Sequence, residues 1–289
     1  MYELTRILLD ADSLLYRCGF AAEGEEVSHA LHNLKSQIEK IKDYLHCDNM
    51  DIYIKGKGNF RNELAQTTVY KGTRASAIPT HYRALKDYII GVHGAKEVDG
   101  MEADDAVSVE LWKNRDPASG VVLAAMDKDL WNTPGWHFNY DPRKWKLEYI
   151  TIQEANRNFL HQLLSGDRTD NVPGLPYFGT MVETVYGIRG RVGEKKAQYF
   201  IEGCNNKQAI TRIWEAYKWY GEEQGWEESV SREYFLEQGR LLWMTRELNE
   251  DGTPVLWEPP SFLWHPETSN PTESNNCLLR EEYAHSAIE

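Results

Sequence analysis

Eight carboxylates in this 289-residue chain stand at places where a strand end, a helix start or a turn could gather them. Asp10 closes the apolar run "RILLD". Glu102, Asp104 and Asp105 fall together in "MEADDAV", Asp127 and Asp129 in "MDKDL", and Asp167 and Asp170 in "GDRTDN". Each motif alone admits a structural reading. Acids at a helix N-terminus complement its dipole, and Asp in turns bonds its own backbone. Asp10 is the hardest to explain that way, because an acid ending a buried strand is costly without a partner.

Taken together, the acids point to metal chemistry. Like charges crowded into one crevice raise one another's pKa or recruit cations. A donor set of carboxylates, with no His or Cys, selects hard ions such as Mg²⁺ or Mn²⁺. Two such ions about 4 Å apart form a clamp for in-line attack at a phosphodiester, one activating water and the other stabilising the leaving oxygen.

The elements that must position these groups can be read from periodicity. "RILLDAD" (6–12), "MDIYIK" (50–55), "AKEVD" (95–99), "GVVLAAMD" (120–127) and "HFNYD" (137–141) read as strands. Helices are expected over 27–46, 79–94, 101–114 and 151–166, the last with Thr151 and Glu154 spaced as a capping box. Strands alternating with helices predict an α/β fold, a mostly parallel central sheet flanked by helices. In such a sheet the carboxyl ends of the strands line one crevice, so Asp10, Asp127 and Asp129 should converge and the helix after Met101 should deliver its acids to the same edge. The stretch 56–79 shows no clean period and reads as a long, partly mobile segment. From residue 192 the chain is helical and rich in Trp and Tyr, and 249–289, rich in Pro, Ser and Asn, reads as a loosely held tail.

Composition excludes several classes. No apolar run is long enough to span a membrane, and the N-terminus lacks the pattern of a secretory signal. Four scattered cysteines, with no CxxC pair, fit reduced thiols in a cytoplasm rather than a zinc site or a disulfide framework. The net charge of −13 is unevenly spread: residues 222–289 hold 15 acids and 4 bases, whereas 1–221 hold 30 acids, eight of them in the motifs above, and 28 bases. Within 55–86 there are seven bases and one acid, a track on which a polyanion could lie.

The order and wording of "LLDADSLLYR", "FRNELAQTTVYKGTR", "EADDAV", "MDKDL", "GDRTDNVPGLP" and "GRVGEKKAQYF" resemble the 5′-nuclease, or flap endonuclease, family. The phage 5′→3′ exonucleases and the 5′-nuclease domain of bacterial DNA polymerase I are the most similar members. The resemblance runs from about residue 7 to residue 200. It implies a PIN-like nuclease core over 1–165 with a basic arch at 56–80 and a helix–two-turn–helix duplex-binding part over 166–248; the acidic tail over 249–289 lies outside it. It implies a metal-dependent 5′→3′ exonuclease or flap endonuclease acting on DNA ends or junctions, removing RNA primers or resecting ends in phage replication inside the host cytoplasm. Asp10, Glu102, Asp104, Asp105, Asp127, Asp129, Asp167 and Asp170 would hold two Mg²⁺, with Mn²⁺ as a substitute. Asp127 is also expected to be essential for cleavage. Lys71 and Arg74 would grip the scissile phosphate, Tyr70 would stack on a base, and Arg61 would contact phosphate nearby. Gly190, Gly193, Lys195 and Lys196 would hold the duplex, with a K⁺ ion on backbone carbonyls. The expected partners are DNA flaps, nicks and gaps, RNA–DNA hybrid, and a replication protein at the tail; the expected state is a monomer without membrane contact.

Two departures from the family pattern stand out. Many members carry an Asp after the second strand, where this chain reads "YIKGKGNFR"; either the ligand set is one short or Asp12 compensates. The stretch 177–188 reads as an insertion. Rival readings are a haloacid-dehalogenase-type phosphatase, with Asp10 as nucleophile, Asp12 as acid/base and "GDRTDN" on Mg²⁺, a non-catalytic DNA-junction binder, and a toxin-like ribonuclease. The phosphatase reading leaves "EADD" and "DKDL" without a role.

Overall fold

The computed structural model describes residues 3–73 and 77–264. In chain order the elements are β1 (Arg6–Asp10), α1 (Asp12–Ala21), α2 (Val27–Leu45), β2 (Met50–Lys55), α3 (Arg61–Leu64), α4 (Tyr82–His93), β3 (Lys96–Val98), α5 (Ala103–Lys113), β4 (Val121–Ala125), β5 (Gly135–Asn139) and β6 (Lys146–Ile150). They continue with α6 (Ile152–Ser165), β7 (Tyr177–Phe178), α7 (Thr180–Tyr186), β8 (Gly190–Arg191), α8 (Glu194–Ile201), α9 (Asn206–Glu223) and α10 (Glu228–Leu242). The chain forms two compact units. The first comprises Met1–Phe60, Ala75–Thr151 and Met244–Val255; the second comprises Arg61–Arg74, Ile152–Trp243 and Leu256–Glu289. No helix among the described residues is long and apolar enough to cross a membrane.

The first unit is built on a six-stranded sheet of order β3-β2-β1-β4-β5-β6. All its pairings are parallel except β5 with β6. β1 is covered on both faces, which is why it reads as an unbroken apolar run. Ile7 and Leu9 pack with Leu14, Leu34, Ile38 and Leu85 from α1, α2 and α4. Leu8 points to the opposite layer, with Val107 and Leu111 of α5. Strand order reverses at β1, whose neighbours are β2 on one side and β4 on the other, so the crevice past the ends of β1 and β4 is the topological switch point of the sheet.

The second unit is helical. Phe159, Tyr217, Tyr234, Phe235, Trp243 and Trp257 dominate its core. α9 opens with a reciprocal capping box, Asn205 accepting from the Gln208 N–H at 2.9 Å while the Gln208 side chain accepts from the Asn205 N–H at 3.0 Å. Two glycines after α6 are set by close approach. Gly166 and Gly174 both adopt positive φ, 67° and 63°, and a Cβ on Gly174 would lie 2.4 Å from the Gly166 nitrogen.

Several expectations from sequence are revised. The boundary falls at 151/152 rather than 165/166, because α6 supplies Phe159, Leu160, Leu163 and Leu164 to the helical core. The stretch 56–80 is not one segment: 61–74 belongs to the second unit and its flanks to the first. Nor is 249–264 loosely held. Residues 244–255 join the first unit, and Trp257, Phe262 and Leu263 are buried in the second. A few large apolar anchors override the Pro- and Ser-rich composition there. Residues 265–289, and with them most of the expected tail, lie outside the described residues. The supposed insertion 177–188 contains β7 and α7, and β7 pairs antiparallel with β8.

Candidate active site

In the first unit, four backbone features bring carboxylates to the switch point. Asp10 is the last residue of β1 and is buried. Its Oδ1 accepts from the Asp12 N–H at 3.2 Å, and its carbonyl accepts from the hydroxyl of the buried Tyr140 at 2.9 Å. Burial pushes the Asp10 carboxyl well above the usual carboxylate range, and the like charges of Asp104, Asp12 and Asp127 push it the same way. Asp127 lies two residues past the end of β4, with its Oδ1 accepting from the Asp129 N–H at 3.0 Å. Asp104 lies in the first turn of α5. The charges of Asp104 and Asp127, from two other elements, thus bear on Asp10.

Asp12 lies beside the end of β2. Its Oδ1 accepts from the Lys55 N–H at 2.9 Å, and Lys55 ends β2. Burial raises its pKa as well; the bond from Lys55 and the charges of Lys55 and Lys86 oppose that rise, and Glu102 adds to it. Lys86 donates to the Lys55 carbonyl at 2.9 Å and pairs with Glu97 at 2.8 Å. Asp12 was visible in "DAD". Lys86 and Tyr140 carried no sequence signal, because only the packing of α4 and the loop after β5 brings them here.

Glu102 and Asp105 divide the work at α5. Glu102 is the N-cap, and the two side chains form a reciprocal capping box. Asp105 is fully buried; its Oδ2 accepts from the Glu102 N–H at 3.3 Å and its Oδ1 from the Thr245 N–H at 3.2 Å. Both Asp105 oxygens thus serve the fold. Among the described residues, no three His, Cys, Asp or Glu side chains are gathered tightly enough to ligate an ion as they stand. The donor set itself, oxygen only and strongly acidic, fits a hard divalent cation.

The remaining candidates lie in the second unit. Asp167 forms an Asx turn, its Oδ1 accepting from the Thr169 and Asp170 amides at 2.6 and 3.2 Å. Asp170 is 3.6 Å from the Lys71 ammonium and accepts from the Tyr70 hydroxyl at 2.7 Å. The base-stacking role expected of Tyr70 does not fit this arrangement: the ring is buried in the helical core and its hydroxyl is engaged. Nor can Arg61 meet phosphate. It is wholly buried, and its guanidinium donates to the Leu241 and Trp243 carbonyls at 3.0 and 2.8 Å. Arg74 lies outside the described residues. Gly190 has φ 87°, a left-handed value suited to glycine. Gly193 is the N-cap of α8, where Lys195 is exposed and Lys196 donates to the Arg189 carbonyl at 2.6 Å.

No known protein-family profile matches the chain. Among curated proteins, it is 26% identical over 193 residues to a 5′-3′ exonuclease of Buchnera aphidicola, a match covering 60% of this chain and 66% of that protein. The match therefore spans slightly less than two-thirds of the relative's length. Among solved structures, a bacteriophage T5 protein co-crystallised with metal ions superposes with a TM-score of 0.56 at 16% identity, covering 82% of this chain and 89% of the other. The T5 5′-exonuclease bound to zinc gives 0.56 at 17%, with the same coverage. The T5 flap endonuclease in a complex with DNA and metal ions gives 0.51 at 14%, covering 81% and 89%. In fold the chain is similar to the T5 5′-exonuclease, and in sequence it is similar to a 5′-3′ exonuclease.

Proposed function

We propose that this protein is a divalent-metal-dependent 5′→3′ exonuclease or flap endonuclease, hydrolysing phosphodiesters at 5′ ends or at single/double-strand junctions of DNA. The observation that supports the reading is Asp10 at the end of β1, where the charges of Asp104 and Asp127 bear on it, in a fold similar to that of the T5 5′-exonuclease. Asp10, Asp104, Asp127 and Asp129 would hold Mg²⁺ or Mn²⁺, with Glu102 and Asp12 beside them. The ions would supply charge neutralisation at the phosphodiester and a water made acidic enough to attack it.

The chain's own residues do the rest. Asp10 is fixed by the Asp12 amide and by its rigid strand, so it offers a preset carboxylate at the sheet edge. The capping box keeps α5 aimed at that edge. Lys71 would offset charge developing on the scissile phosphate. Lys195 and the glycine turn before α8 would hold duplex phosphates. Primer removal and end resection in phage replication, in a host cytoplasm, complete the proposal; the likeness to the T5 proteins supports it.

The phosphatase reading fares worse. It leaves Asp104 and Asp127, whose charges bear on Asp10, without a role. The deciding experiment offers a 5′-labelled flap duplex, a plain duplex and a small phosphomonoester with Mg²⁺, then adds EDTA. EDTA-sensitive release of labelled 5′ products is expected. Phosphate release from the small ester alone would overturn the proposal.

A further inference from the structure

Within the second unit, residues 66–72 are suspended between two carboxylates. On one side Glu237 of α10 accepts from the amides of Gln66 and Thr67, both at 2.7 Å, and from the Thr67 hydroxyl. On the other side stands the Asp170–Asn171 turn. The Lys71 N–H donates to the Asp170 carbonyl at 2.8 Å, and the Thr68 hydroxyl donates to the Asn171 carbonyl at 2.7 Å. The Asn171 side chain donates back to the Val69 carbonyl at 2.9 Å. One oxygen, Asp170 Oδ2, then receives both the Tyr70 hydroxyl at 2.7 Å and the Lys71 ammonium at 3.6 Å.

Lys71 itself has φ 55°, the left-handed region that a non-glycine residue enters only when its surroundings hold it there. The Gly72 N–H closes the turn onto the Val69 carbonyl at 2.9 Å. With Lys71 and Asp170 side chains only 19% and 18% exposed, the pair is shielded more than a surface ion pair.

We infer that Asp170 is a positioning residue for Lys71: it fixes the strained Lys71 backbone and holds the ammonium as a stored pair until a phosphate competes for it. A phosphate offers more charge and more acceptor oxygens than one carboxylate oxygen shared with a tyrosine, so the transfer is favourable. Tyr70 is part of the device, because its hydroxyl orients the carboxylate. This assignment rests on the nuclease reading for its purpose but not for its geometry.

Hydrogen exchange on metal-free, DNA-free protein tests the geometry. Asp170→Asn and Tyr70→Phe should each raise exchange at the Lys71 and Gly72 amides by about tenfold or more. In single-turnover cleavage, Tyr70→Phe should lower the rate constant about tenfold with DNA affinity changed less than twofold. Adding Tyr70→Phe to Lys71→Ala should cost nothing further. Mn²⁺ affinity, read by electron paramagnetic resonance, should be unchanged in Tyr70→Phe. Unaltered exchange in both single variants overturns the inference, as does a tenfold loss of Mn²⁺ affinity in Asp170→Asn without a change in exchange. Raised exchange in a protein that cleaves nothing would refute the nuclease reading and leave the clamp standing.

Discussion

Replacing Arg61 separates two views of the basic segment. Sequence places it on a phosphate track; the structure places it inside the helical unit, with no exposed surface and two carbonyl acceptors. Hydrogen bonds from a charged donor contribute about 1.5–3 kcal/mol each. Arg61→Ala removes two of them, leaves the Leu241 and Trp243 carbonyls without these donors and opens a cavity beneath α10. Relief from burying the guanidinium offsets part of that loss. A net destabilisation of about 4 kcal/mol follows, or roughly 10 °C or more in the melting temperature of a unit this size. Trp214, Trp219, Trp226, Trp243, Trp257 and Trp264 all lie in that unit, so tryptophan fluorescence during heating or urea unfolding reports on it. DNA affinity of the folded variant should keep its salt dependence. An unchanged melting temperature, together with a salt slope smaller by about 1, would mean that Arg61 contacts phosphate and that the packing argument is wrong.

His137, buried in β5, donates from Nε2 to the Thr133 carbonyl at 2.7 Å, and burial pulls its pKa down to about 4. The unfolded chain therefore binds a proton that the folded chain refuses, so stability is fully present above about pH 6.5 and falls as pH drops toward 4. The loss should approach about 3 kcal/mol in urea titrations across that window, and His137→Gln should flatten that slope. Trp257→Ala should cost about 3–5 kcal/mol, because the indole is buried between Phe159 and Phe235 and lies against Gly239. Thermal unfolding checks this, and a change within 0.5 kcal/mol would return that stretch to a dispensable tail.

The sheet and its acids were legible because both follow short-range rules. β1 and β4 are apolar runs, and Asp10, Asp127 and Asp104 lie at or just past the end of one or at a helix start. β6 escaped notice because "KLEYI" is half exposed and pairs antiparallel at an edge. α1 escaped because "DSLLYRCGFA" is short and its Gly19 blurs the period. The misreadings share one cause. Arg61 and Tyr70 are typed by sequence as a base and an exposed ring, yet a partner 100 or more residues away decides their environment. The segment they occupy and the stretch after 243 are held by distant carboxylates, carbonyls and aromatic anchors that leave no local pattern.

In the proposed mechanism, carboxylates at the switch point hold the ions that hydrolyse a 5′ end. The most direct test is single-turnover cleavage of a 5′-labelled flap duplex across a Mg²⁺ titration, for wild type and Asp127→Ala, with DNA binding measured in Ca²⁺. Asp127→Ala should bind the flap within a few-fold of wild type and lose cleavage by at least about 10³-fold, equivalent to about 4 kcal/mol of transition-state stabilisation. Cleavage by Asp127→Ala at the wild-type rate, with the same Mg²⁺ dependence, would contradict the account.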